Sequence, residues 1–155
     1  QRGRLMGELP HNGSMAAIYA DYETVAAALT SYQNQVNIGS ANGSITVISG
    51  VNEIVDQLEK NFIDQGYKTK RLAVSHAFHS PLMEPILDDF AKVLDNISLH
   101  EPSLTIISNI TGKPIGQEIA TPDYWVNHLR STVQFSQGFK FLIDSGYRCF
   151  FGSWF

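Results

Sequence analysis

The densest run of chemically capable side chains is Ser75-His76-Ala77-Phe78-His79-Ser80-Pro81. Residues 72–74 read as a strand and the chain from Pro81 as a helix, so the run is a strand-to-helix loop. In an α/β protein such a loop faces the carboxyl edge of a sheet, where sites gather. Unperturbed imidazole titrates at about pH 6.5, so a histidine held there can act as a general base near neutrality. A loop histidine serves equally well as a surface or structural residue, and the loop alone does not decide between the two. His76, His79, His100 and His128 also invite a zinc reading. A His-x-x-His pair without cysteine or a nearby acidic partner carries that reading weakly.

The elements that must position this loop follow from periodicity and punctuation. Residues 2–9 read as the end of a helix, broken at Pro10. Residues 15–20 read as a strand, and Asp21 can cap the helix that follows, with Val25, Ala28, Leu29 and Tyr32 along one face. Residues 36–40 alternate as a half-buried strand, Asn42-Gly43 turns, and residues 45–49 form the partner strand, ended by Gly50. Ile54, Val55, Leu58, Phe62 and Ile63 have helical spacing up to Gly66, and residues 67–74 read as another strand. The order β-α-β-β-α-β is that of a ferredoxin-like unit. Farther on, Ser80-Pro81 starts a helix through Leu94, residues 104–108 and 147–151 read as strands, and residues 121–128 and 135–143 as helices. Alternation of this kind predicts an α/β class.

With 155 residues, 43% hydrophobic and 17% charged, the chain has the composition of an ordinary globular protein of about one domain. A net charge of −4 with no basic stripe argues against nucleic acid. No apolar run reaches the ~18 residues of a membrane helix. One cysteine, Cys149, permits neither an internal disulfide nor a cysteine zinc site, which predicts a reducing, cytoplasmic setting.

The loop and its context resemble a known family. Residues 74–85, centred on His76-Ala77-Phe78-His79, are similar to the His-Ala-Phe-His signature of acyltransferase domains of modular polyketide synthases. Arg2-Gly3-Arg4-Leu5-Met6, Gly13-Ser14-Met15-Ala16-Ala17-Ile18, Val47-Ile48-Ser49-Gly50, Ser108-Asn109-Ile110-Thr111-Gly112 and Tyr124-Trp125-Val126-Asn127-His128-Leu129-Arg130 resemble further blocks of that family in the same order. The resemblance implies a ferredoxin-like small subdomain, residues 15–74, inserted in an α/β-hydrolase-like large subdomain. Residues 1–14 would end a large-subdomain helix and its linker, and residues 75–155 would be the C-terminal part of the large subdomain.

It also implies transfer of a malonyl unit from CoA to the phosphopantetheine thiol of an acyl carrier protein, through an acyl-serine ester. His79 would be the proton shuttle, its tautomer fixed by the backbone carbonyl of His128. Arg2 would pair with the malonyl carboxylate, since guanidinium binds carboxylate bidentately. Met6, His76, Phe78 and Asn109 would lie on the substrate side, with Phe78 filling the space an α-methyl needs. Malonyl-CoA would be substrate, no cofactor or metal would be held tightly, and the partners would be the carrier protein and neighbouring synthase domains on the ketosynthase side, with neither nucleic acid nor membrane.

Two departures stand out. No Gly-x-Ser-x-Gly nucleophile elbow occurs in the 155 residues, so the chain alone is expected to be inactive. Cys149 to Phe155 do not follow the family's pattern. The rival reading is a non-catalytic ferredoxin-like module that docks a carrier protein, with Lys68, Lys70 and Arg71 meeting its acidic surface.

Overall fold

The computed structural model describes residues 1–152, and residues 153–155 of the divergent C-terminal run lie outside them. Alternation along three strands builds the first half. Strands β1 (Gly13–Ile18), β2 (Val36–Ala41), β3 (Thr46–Val51) and β4 (Thr69–Arg71) form one sheet in the order β2-β3-β1-β4, every neighbouring pair antiparallel. Ala16, Ile18, Val36, Ile38 and Ile48 point to one face and pack there with Val25, Leu29, Val55, Leu58 and Phe62. The last five lie on helices α2 (Tyr22–Leu29) and α3 (Asn52–Asp64), whose apolar residues recur at helical spacing. Helix α2 starts where Asp21 accepts a hydrogen bond from the Thr24 N–H at 2.8 Å.

The opposite face is thinner. Met15, Ala17 and Val47 point there, with Ile45, Leu72 and Phe78 packed against them. A bulge between Ile38 and Ser40 turns the end of β2 out of register with β3. The freed groups take another partner. Val133 N–H donates to the Gly39 carbonyl at 2.9 Å, and Ala41 N–H donates to that of Val133 at 3.0 Å. The Thr132 hydroxyl donates to the Ile38 carbonyl at 2.6 Å.

The second half packs helices. Leu5 and Leu9 meet Met83, Ile86, Phe90, Leu94 and Leu129, joining α1 (Arg2–Gly7), the turn Pro81–Ile86, α4 (Leu87–Leu94) and α5 (Pro122–Arg130). The single helix expected from Ser80 is two elements: a 3-10 stretch over Pro81–Ile86, then α4. Ser80 caps it, accepting from Leu82 N–H at 3.2 Å. Pro85 has no N–H to close an α-helical bond, and the tighter turn accommodates it.

Other expectations fail for identifiable reasons. The strand expected at 67–74 shortens to Thr69–Arg71, because Val74 N–H turns back to the Leu72 carbonyl and the chain leaves the sheet. The strand expected at 104–108 shortens to β5 (Ile106–Ile107), paired with β6 (Pro114–Ile115). Strand β3 runs past Gly50 to Val51. The strand expected at 147–151 is absent. Helix α6 (Phe135–Asp144) ends at Gly146, φ +94°, with Tyr147 N–H donating to the Leu142 carbonyl, and Phe150 packs on Phe139 at 4.5 Å instead of pairing with a strand. Leu104 (79% exposed) and Phe151 (98% exposed) stand open to solvent.

Candidate active site around His79

Phe78 and His79 line a cleft of ≈ 410 Å³ on the thin face of the sheet, together with Arg2, Met6, Met15, Val47, Leu72, Val74 and Val133. That volume lies within the usual range of small-molecule pockets. Apart from Arg2, His79 and Ser40, its walls are apolar. A groove of similar size (≈ 380 Å³) along β2, lined by Tyr22, Asn34, Asn37 and Arg130, holds no histidine.

His79 adopts φ +61°, in the left-handed region that a branched or bulky side chain rarely enters. Its half-buried ring stands edge-on to the ring of His128 on α5, centroids 5.8 Å apart. Its pKa is lowered first by desolvation and next by the charge of Arg2; main-chain hydrogen bonding at Ser131 and then His128 pulls the other way. That main-chain approach is loose, since Nδ1 is buried without a well-formed hydrogen bond. His128 is lowered further, to about 4, by burial, then Arg2, then His79. Burial and the charge of Arg2 thus disfavour the protonated form of both rings, most strongly for His128.

Arg2 opens helix α1. Burial lowers its pKa, and its Nε is buried without a partner. Its charge lowers the pKa of both histidines, and with Met6 one helical turn on it lines the cleft.

The other expected site residues lie elsewhere. His76 is 4% exposed and is not in the cleft lining. Its Nε2 meets the Leu9 carbonyl at 3.1 Å and its Nδ1 the Ser75 hydroxyl at 3.0 Å. Its only approach to the cleft is through Phe78, ring centroids 6.2 Å apart. Asn109 is an exposed turn residue whose carbonyl accepts from Gln134 N–H at 2.7 Å, outside the cleft lining. Sequence reasoning missed Ser131, and also Asn37 and Ser49, whose side chains bind the loop carbonyls at His79 and Phe78. A serine inside the apolar run 45–49 was the one available signal for the last. Of the basic trio, Arg71 is engaged by Asp56 and Glu59, and Lys68 lies over the Tyr19 ring at 4.9 Å. Among the described residues, no cluster of three or more His, Cys, Asp or Glu could hold a metal, and no helix is long and apolar enough to cross a membrane.

Helices pack against a small antiparallel sheet in an α/β arrangement, with a histidine and a guanidinium on one largely apolar cleft. The chain belongs to the acyl transferase domain family, whose model matches residues 1–152. Its relatives are polyketide synthases. It is 42% identical over 137 residues to polyketide synthase GfsA of Streptomyces halstedii, covering 87% of this chain and 2% of that one. It is 40% identical over 146 residues to the phenolphthiocerol synthesis polyketide synthase Pks15/1 of Mycobacterium bovis, covering 94% and 7%. The acyltransferase domain from the second module of the salinomycin polyketide synthase superimposes with a TM-score of 0.90 at 38% identity, covering 94% of this chain and 34% of that one. The chain thus spans a small part of its curated relatives and about a third of that solved domain.

Proposed function

We propose that the chain contributes the proton-shuttling half of an acyl-transfer site, moving a malonyl unit from coenzyme A to the phosphopantetheine thiol of an acyl carrier protein. The observation that carries this reading is the His79 ring, neutral and half-buried, opening onto the same cleft as Arg2. A serine hydroxyl from outside these 155 residues attacks the thioester carbonyl. His79 takes the serine proton, most simply at Nε2 because Nδ1 is buried, and the carbon–sulfur bond breaks as the proton passes to the departing CoA thiolate. In the second half the carrier thiol gives its proton to His79 and attacks the ester, and the serine oxygen leaves with that proton. Main chain at His128 and Ser131 favours the charged imidazolium that forms in between, and Arg2 holds the malonyl carboxylate. The walls of Phe78, Met15 and Val47 exclude water that would hydrolyse the ester.

The sheet order β2-β3-β1-β4 supports reading the sheet unit, residues 15–74, as a ferredoxin-like small subdomain. Residues 1–14 and 75–155 would then belong to an α/β-hydrolase-like large subdomain. The alternative of a docking module alone loses support, because Arg71 is already paired within the sheet unit and Lys68 covers Tyr19.

Mass spectrometry after incubation with malonyl-CoA tests the reading. The complete domain should form a malonyl-serine, and His79→Gln should slow its formation by about 10²–10⁴-fold, the usual worth of a general base. The 155-residue chain by itself should take up no ester. A stoichiometric malonyl ester on the chain alone, or an unaffected His79→Gln domain, would overturn it.

A further inference from the structure

Asn37 and Ser49 are directly opposite each other across β2 and β3. Both belong to the cleft face of the sheet, because their neighbours Val36, Ile38 and Ile48 fill the core on the other side. The Ser49 hydroxyl donates to the Phe78 carbonyl at 2.5 Å, and the Asn37 amide donates to the His79 carbonyl at 3.1 Å. Two cross-strand donors therefore grip two consecutive carbonyls of the loop. The match is geometric: opposed side chains stand about 4.5–5.5 Å apart at Cβ, close to the ~3.8 Å step between successive residues of the loop. Gly39 leaves room on this face, since a Cβ there would lie 3.2 Å from Met15 Cε and 3.3 Å from Ser49 Cβ.

The same strands hold the other side of the ring. Through the bulge at Gly39, β2 binds Thr132 and Val133, next to the Ser131 main chain that faces the imidazole. The loop carrying His79 and the segment opposing it are thus both pinned to one edge of one sheet.

We propose that Asn37 and Ser49 are positioning residues for His79. They clamp the Phe78 and His79 carbonyls, hold His79 at φ +61°, and so aim its ring between the main chain of 128–131 and the cleft. Ser49 is fully buried in the sheet. Among the described residues its hydroxyl has this one partner, so an apolar residue would fill its place on the strand equally well if packing were its only duty. Relevance to catalysis rests on the acyl-transfer reading; the positioning itself does not.

The test separates the two. In the 155-residue chain, NMR titration follows the His79 ring, whose neighbours are the charged Arg2 and the titratable His128 ring. Ser49→Ala and Asn37→Leu should each move the His79 titration upward toward that of an exposed histidine and alter its ring shifts. Ser49→Thr, which keeps the hydroxyl, should leave both unchanged. Amide exchange across β1 and β3 reports whether each variant keeps the sheet. If Ser49→Ala and Asn37→Leu retain the sheet and the His79 titration, the positioning role is wrong. If a variant loses the sheet, Asn37→Ala, which removes the amide donor without adding a charge, gives the same decision. In the complete domain the same variants should lower kcat about 10–100-fold with KM for malonyl-CoA little changed, as expected for a reacting group misplaced by about 1 Å. A displaced His79 with unchanged kcat would keep the positioning role and overturn the acyl-transfer reading instead.

Discussion

His79 and His128 meet edge to face, ring centroids 5.8 Å apart, and each carries a lowered pKa for which Arg2 is the second cause after burial. The two rings and the guanidinium are electrostatically linked: the charge of Arg2 lowers both rings, and His79 lowers His128 further.

This unit makes stability depend on pH. In the unfolded chain both histidines take protons below about 6.5, whereas the folded His128 resists protonation down to about 4. The unfolded state therefore binds more protons between these limits, and folding stability rises with pH across that window. Acidification from pH 7 should lower Tm progressively, the His128 share beginning near 6.5 and complete below about 4. His128→Gln should flatten part of this slope while leaving Tm at pH 7 little changed. Melting curves of both chains at pH 7, 6 and 5 check this, and parallel slopes would refute it.

Arg2 tunes both rings, so Arg2→Ala should raise the titration of His79 and of His128, while Arg2→Lys should preserve most of the depression. NMR titration of the two rings reads this directly. In the complete domain, Arg2→Ala should also cut kcat/KM for malonyl-CoA by roughly 10–100-fold, the worth of a hydrogen bond to a charged group, and leave acetyl-CoA nearly untouched. Equal losses for the two substrates would remove the carboxylate role from Arg2.

Phe78 lies in the cleft wall and packs against Met15, Ala17 and Val47. Phe78→Ser should enlarge the space beside His79 and shift preference toward a methylmalonyl substrate. One methyl is worth only about 1–3 kcal/mol, so competition between the two CoA esters should change by about 10–200-fold at most. His76→Ala, by contrast, breaks the contact between the loop and the Leu9 carbonyl. It should loosen the fold without a comparable change in preference.

What the sequence revealed and what it hid divide along physical lines. The helices at 22–29, 52–64 and 122–130 were legible because caps and apolar spacing are local: Asp21 bonds Thr24, and Thr121 accepts from Tyr124 N–H. Strands 69–71 and 106–107 were overestimated because local residue types say nothing of where a pairing partner ends. At the site, the loop 75–81 was visible from residue type, and Arg2, Met6, Phe78 and His79 do share one cleft. The placement of His76 against Leu9 was not visible, since nothing in its type distinguishes a ring bonded at both nitrogens from one facing a cleft. Asn37 and Ser49 were hidden for a related reason: they act through backbone carbonyls of a segment 29 and 42 residues away, and a carbonyl leaves no mark in the sequence.

Gly50 tests how tightly the strands that hold His79 are packed. A Cβ there would lie 2.3 Å from the Gln35 carbonyl oxygen and 2.6 Å from Val36 Cα. Both are backbone atoms, which cannot swing aside as a side-chain tip can. Gly50→Ala therefore forces β2 away from β3, at a cost of about 1–3 kcal/mol or more, typical of overpacking. The urea midpoint should fall with little change in m-value. Gly3→Ala, whose Cβ would meet nothing within 4 Å, should hold or slightly raise it, since alanine suits a helix better by about 0.5–1 kcal/mol. Because Val36 Cα precedes Asn37, the displaced strand should also carry the Asn37 amide off the His79 carbonyl, and the His79 titration should move upward along with the loss of stability. A Gly50→Ala chain that matched the parent in both measurements would show that β2 has room to spare and that the strand does not set the position of the ring.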